Sequence, residues 1–173
     1  ADALPSDPGY GLRSGGTVDA ARLDPLRALC WESAKVELLN PATVMESVRL
    51  MRVGPNEISH HRDGISLNAP MVRALDTVGL FDRQKPPADG SAAFDSMMAR
   101  FEGHSRSAMG FVWLSTDTAA NAAAKRTRSA EVTAGRAYVR QQLKATELGL
   151  QMHPMSQAPQ EFPEMKTHYD QLH

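Results

Sequence analysis

The sequence predicts a helix-rich fold that contains at least one strand. At least six segments repeat apolar residues three and four positions apart, as Leu23, Leu26 and Cys30 do, which is the spacing of a helix with one buried face. One unbroken apolar run, residues 107–115, is typical of a strand that is covered on both faces. Because one strand cannot form a sheet by itself, we expect its partners to lie outside this chain.

Two segments are predicted to lack helix or strand. Residues 1–18 are rich in Pro, Gly, Ser and Asp, which predicts a loop or an arm. Residues 84–90 contain two prolines and a glycine and are predicted to form a surface loop. Residues 19–173 form the predicted folded lobe.

Capping residues place several helix boundaries. Asn40 followed by Pro41 favours a helix start, because asparagine caps free N–H groups and proline fits the first helical position. This helix is predicted to bury Val44, Val48 and Met51. Ser91 is predicted to cap a later helix. Further predictions are an end of the second helix at Gly54-Pro55 and helices over residues 57–62, 69–80 and 162–172.

The longest predicted helix follows Thr116-Asp117-Thr118, runs to Leu148 and ends at Gly149. Its predicted buried stripe is Leu143, Leu148 and Leu150. Small residues at Gly135, Ala137 and Ala145 keep part of the helix narrow, so that another backbone or a flat ring can approach it closely. The loop that follows can present main-chain N–H groups at a fixed place to the edge of such a ring. The residues alone are equally compatible with a plain helix, cap, loop and helix.

Composition and spacing argue against several functions. The 19 basic and 20 acidic residues give a net charge of −1, so we expect no nucleic-acid partner and no anionic membrane partner. The longest apolar run, residues 108–114, is far shorter than the ~20 residues of a membrane helix. The six histidines lack the spacing of a helical metal site, and Cys30 is the single cysteine, so no metal is predicted. Residues 103–107 approach the G-x-S-x-G elbow of hydrolases but follow a helix and precede a strand, which is the reverse of the elbow's order.

Four stretches together resemble a known family. Residues 135–157 read G-R-A-Y-V-R-Q-Q-L-K-A-T-E-L-G-L-Q-M-H-P-M-S-Q, which resembles the long helix and following turn of FMN-dependent nitroreductases. The resemblance extends to S-A-M-G-F-V-W-L at 107–114, L-C-W-E-S-A-K-V-E at 29–37 and P-A-T-V-M-E-S-V-R-L-M-R-V-G at 41–54. The order of these stretches is similar to that of a two-lobed subfamily with mycobacterial members and members that carry a twin-arginine export signal.

The resemblance implies an α+β, nitroreductase-like fold, with a mixed central sheet flanked by helices and a long central helix. It implies FMN bound between two lobes, so that the partner is a second nitroreductase-like lobe or a homodimer partner. The implied reaction transfers two electrons from a nicotinamide cofactor through FMN to a nitroaromatic, quinone or similar small-molecule acceptor. The implied cofactor-binding residues are Pro154, Met155, Ser156 and Gln157, through their main chain, with Arg136 and Arg140 either near the phosphate or on the exposed helix surface.

The sequence also departs from the family pattern. The arginine-rich phosphate segment has no clear counterpart, and neither has the closing strand expected after the last helix. We therefore expect the chain to be part of the second lobe, and incomplete. The catalytic residues, the cellular compartment (cytoplasmic or periplasmic) and a nicotinamide docking surface are not identifiable. A non-enzymatic protein that sequesters or carries FMN stays open as the second hypothesis.

Overall fold

The computed structural model describes residues 7–172, and these residues form an α+β fold that is 60% helical with two small sheets of two strands each. The strands are β1 (Arg13–Thr17), β2 (Met51–Val53), β3 (Ile65–Leu67) and β4 (Phe111–Ser115). The helices are α1 (Ala20–Leu39), α2 (Pro41–Arg49), α3 (Gly54–His61), α4 (Pro70–Thr77), α5 (Ala92–Arg106), α6 (Thr118–Ala123), α7 (Thr127–Glu147) and α8 (Lys166–Leu172).

The two sheets differ in strand direction. Strand β1 pairs antiparallel with β4, which places Gly15 opposite Trp113. Strand β2 pairs parallel with β3, and helix α3 connects the two. Among residues 7–172 the antiparallel and the parallel pair are therefore two separate sheets, so the predicted mixed central sheet is not confirmed.

The chain divides into two compact units. The described part of the first unit comprises residues 7–28 and 107–156, and that of the second comprises residues 29–106 and 157–172. The first unit contains the antiparallel ladder and helices α6 and α7. The second contains the parallel ladder and helices α2 to α5 and α8. Helix α1 contributes residues to both units.

The second unit has a core around α2, as the sequence predicts. The Asn40 side chain accepts a hydrogen bond from the Ala42 N–H at 3.0 Å, and Pro41 occupies the first turn. One face of α2 is buried by Val44, Met45 and Val48, against which Met51 and Met97 pack. Local capping and the helical apolar spacing together explain this packing.

The N-terminal segment contains a strand where a loop or an arm was predicted. Within the described part of 1–18, residues 13–17 form β1, while residues 1–6 lie outside the described residues. Because β1 is the partner of β4, the expectation that the strand's partners lie outside the chain is also wrong in this respect. Gly15 and Gly16 give no strand signal, since β1 forms through pairing with a distant segment.

The predicted end of the second helix is wrong. Helix α2 ends at Arg49, and Met51 starts β2 instead of continuing the helical face. Gly54, with a φ of +76°, begins α3 and does not close α2. The pairing of β2 with β3 takes these residues out of the helix, and such non-local pairing overrides local helical spacing.

The long helical stretch and the apolar strand also differ from prediction. Helices α6 and α7 replace one continuous helix, and the chain bends at Lys125, which has a φ of +53°. Asp117 caps α6, as predicted, by accepting a hydrogen bond from Ala120 N–H at 2.8 Å. Strand β4 is not covered on both faces, because Val112 and Trp113 on alternate faces are 48% and 47% exposed.

Candidate functional site

Helix α7 ends where the sequence predicts. Gly149 follows the helix with a φ of +72°, a left-handed conformation that glycine adopts without a steric penalty. The Gly149 N–H donates to the Thr146 carbonyl at 3.0 Å, and the Leu150 N–H donates to the Ala145 carbonyl at 2.8 Å. These bonds close the helix and direct the chain into the segment that carries the predicted turn.

The predicted turn is irregular and offers free donors. Pro154 and Ser156 are exposed, whereas Met155 and Gln157 are half-buried. Within residues 7–172 no hydrogen bond is made by the main-chain N–H of Met155 or Ser156, so both can donate to a bound molecule. Gln157 belongs to the second unit, where its carbonyl accepts from Gln160 N–H at 3.0 Å.

The two predicted arginines lie one turn apart on α7. Arg136 and Arg140 are exposed, and neither makes an ion pair or a side-chain hydrogen bond with the described residues. Arg128, by contrast, pairs with Glu131 on the same helix at 3.0 Å. Two neighbouring guanidinium groups without acidic partners can bind a phosphate, because each offers charge-assisted donors.

The predicted buried stripe of α7 is wrong. Leu143 and Leu148 are 64% and 63% exposed, and Leu150 is 52% exposed. The buried residues of α7 are Ala130, Ala137 and Gln141. They are spaced seven and then four residues apart, which places them on one face of the helix. Helix α7 lies against β4, and the residues that the helix buries are these three rather than its leucines.

Gln141 is a buried polar residue that the predicted leucine stripe does not include. It is 8% exposed, and its side-chain Nε2 has no hydrogen-bond acceptor among the described residues. The signal was present in the sequence: Gln141 lies four residues from both Ala137 and Ala145, on the narrow face that the small residues define.

A second polar cluster lies where α6 meets α7. The Asn121 side chain is buried and donates from Nδ2 to the Tyr10 carbonyl at 2.9 Å. The Arg126 guanidinium lies 5.3 Å from the centre of the Tyr10 ring. These contacts fix the 3₁₀ turn Pro8–Tyr10 against the helix junction, so the cluster has a structural explanation.

The groups with shifted pKa values belong to the second unit and have structural causes. The hydrogen bond from Arg83, at 2.7 Å, lowers the pKa of Glu57, whose other oxygen accepts from Val53 N–H. Burial raises the pKa of the Cys30 thiol to about 11, so at neutral pH this thiol is protonated and a weak nucleophile. Ser105 is fully buried within α5 and donates to the Phe101 carbonyl, so residues 103–107 form no nucleophile elbow.

Metal-binding clusters and membrane-spanning helices are both missing from the described part of the chain. Between residues 7 and 172 no group of three or more His, Cys, Asp or Glu side chains is arranged to hold a metal ion. None of the helices in this range combines the length and the apolar character needed to cross a membrane.

Comparison with known proteins adds no assignment. No protein-family model, no curated protein and no solved structure matches this chain. The resemblance of residues 135–157 to the nitroreductases therefore stays a prediction.

Proposed function

We propose that this chain is part of an FMN-binding oxidoreductase of nitroreductase type, with the nitroreductase-like fold that its sequence resembles. The observation that carries the proposal is the end of α7. Gly149, in a left-handed conformation, closes the helix. In the segment that follows, the main-chain N–H groups of Met155 and Ser156 make no hydrogen bond within residues 7–172 and can donate to a ligand. Donors held after a helix end suit the edge of a flavin ring, whose oxygens and nitrogens accept hydrogen bonds.

The residues of the chain would bind and orient the cofactor. Main-chain donors at Met155 and Ser156 would hold the ring edge, and Pro154 restricts the backbone before them. Arg136 and Arg140 would supply positive charge for the phosphate; Arg136 lies roughly 16 Å along the helix axis from the end of α7. Bound FMN supplies two-electron chemistry, between a nicotinamide donor and a nitroaromatic, quinone or similar acceptor.

The exposed side of α7 supports a protein partner. Val139 and Leu143 lie four residues apart on one helix face and are 50% and 64% exposed. An exposed apolar helix face fits the proposed second lobe or homodimer partner. Leu143→Glu should shift an associated protein to the monomer in sedimentation velocity, while Lys144→Glu on the neighbouring polar side should not. A monomeric wild-type protein would exclude the homodimer and leave the second lobe.

The direct test of the function is spectroscopic. Purified protein should quench the fluorescence of added FMN and show bound-flavin absorption bands. Addition of NADPH or NADH should then bleach those bands, and an added quinone should restore them. Protein that binds FMN without bleaching would favour the sequestering or carrier function, and protein that does not quench FMN would exclude both.

The turn can be tested by separating side chain from main chain. Ser156→Ala should change FMN affinity by less than about tenfold, because one hydrogen bond contributes roughly 0.5–1.5 kcal/mol. Ser156→Pro removes the N–H and fixes φ, so it should weaken binding well beyond that. Isothermal titration of both variants with FMN provides the measurement. Equal affinity of the two variants would show that the turn makes no main-chain contact with the flavin.

A further inference from the structure

The second unit has a small open cleft that the proposed flavin function does not use. Its lining comes from the end of α1, the first part of α2, the start of α5 and the loop over residues 86–89. The cleft has a volume of about 160 Å³, and all the residues that line it belong to the second unit. The chain therefore leaves room here for a small molecule.

Most of the lining is apolar. Leu38 and Val44 are buried at 7% and 5% exposure, Phe94 and Pro87 are half-buried, and Leu39 is 56% exposed. A cavity of about 150 Å³ with aliphatic and aromatic walls is large enough to bind benzene. The cleft therefore has room for an apolar group of about that size, and it is too small for a three-ring cofactor such as a flavin.

Asp89 is the single charged residue in the lining. Its carboxylate is exposed and makes no ion pair or side-chain hydrogen bond with the residues between 7 and 172. The described part of the second unit is also acidic, because it contains 13 Asp and Glu and 10 Lys and Arg residues. A carboxylate without a partner beside an apolar wall favours a ligand that combines a positive charge with an apolar group.

We propose that this cleft binds a small organic ammonium ion whose apolar part is about the size of a benzene ring. The apolar part would contact Leu38, Val44 and Phe94, and the ammonium group would donate hydrogen bonds to the Asp89 carboxylate. The proposal is independent of the flavin site, because the main-chain donors of the turn belong to the first unit.

Three probes of similar size separate the contributions of the apolar wall and of the carboxylate. At neutral pH benzylamine is a cation, benzyl alcohol is neutral and benzoate is an anion. In NMR titrations of the isotope-labelled full chain, benzylamine should shift the amide signals of the residues that line the cleft. It should also bind more tightly than benzyl alcohol, and benzoate should bind most weakly. Signal shifts confined to other surfaces would overturn the site, and equal affinities for benzylamine and benzyl alcohol would overturn the role of the carboxylate.

Two substitutions in the lining and one matched control complete the test. Asp89→Asn should weaken benzylamine binding about two- to fivefold, as expected for an exposed ion pair, and should leave benzyl alcohol unchanged. Leu39→Ala should weaken both probes by a similar factor, because it removes apolar contact area. Glu46→Gln should affect neither probe, because Glu46 is an exposed carboxylate of the same unit that does not line the cleft. Wild-type affinity of the Asp89→Asn variant for benzylamine would overturn the inference.

Discussion

Helices α2 and α7 use the same residue types in opposite ways. Helix α2 buries Val44, Met45 and Val48 and leaves its charged residues in solvent. Helix α7 buries two alanines and Gln141 and leaves Val139 and Leu143 in solvent. The arrangement in α2 stabilises the fold directly, because folding removes the apolar surface of these side chains from water. The arrangement in α7 leaves its two apolar side chains half or more exposed, and Gln141 Nε2 has no acceptor among residues 7–172.

The largest expected effect on the free energy of unfolding comes from placing a charge at one valine of α2, compared with the same change at one valine of α7. Val48→Asp puts an unpaired carboxylate where the side chain is 6% exposed, and should lower the free energy of unfolding by about 4 kcal/mol or more. Val139→Asp, at a valine that is 50% exposed, should change it by no more than about 0.5 kcal/mol. Urea unfolding of dilute protein measures both. Equal losses would show that α7 buries this face in the isolated chain.

A smaller effect is expected at two glycines of the same region. Gly149 has a φ of +72° and open space where a side chain would project, so Gly149→Val should cost about 1–3 kcal/mol through backbone strain alone. Gly135 lies inside α7, also with open space, and Gly135→Ala should stabilise the protein by roughly 0.5–1 kcal/mol. Thermal midpoints of both variants give the comparison, and an unchanged midpoint for Gly149→Val would contradict the left-handed helix end.

The smallest expected effect is a pH dependence in the second unit. Arg83 lowers the folded-state pKa of Glu57 below its ordinary 4.5. The ionised Glu57 therefore stabilises the folded protein fully above pH 4.5. This stabilisation is lost as the pH falls through the folded-state value. Glu57→Gln should therefore reduce the acid sensitivity of unfolding below pH 4.5, and Arg83→Gln should reduce it likewise. If the free energy of unfolding of either variant depends on pH as it does in the wild type, the Glu57–Arg83 pair does not contribute to the acid sensitivity.

The sequence predicts what depends on neighbours along the chain. The caps at Asn40, Ser91 and Asp117 and the helix end at Gly149 are confirmed, because capping involves residues within a few positions. Strand β1 and the break at Lys125 were missed, because a glycine-rich pairing strand and a non-glycine left-handed residue leave little local signal.

The candidate site divides in the same way. The helix end and the irregular segment after it are local features, and both are where the sequence places them. The orientation of α7 was not predictable from its leucines, because the residues that the helix buries are Ala130, Ala137 and Gln141. Gln141 was missed for the same reason, since its burial depends on which side of the helix is covered.

The antiparallel ladder has a consequence for synthesis on the ribosome. Thr17 pairs with Phe111. At a translation rate of about 5–20 residues per second, β1 is therefore synthesised roughly 5–20 s before its partner strand. During that interval an unpaired strand exposes its edge, which is a hazard when the strand is apolar. The sequence of β1, Arg-Ser-Gly-Gly-Thr, contains no large apolar residue. The apolar strand of the ladder, β4, is synthesised after β1. Its pairing partner is therefore already present when β4 emerges, so the apolar strand does not remain unpaired in the nascent chain.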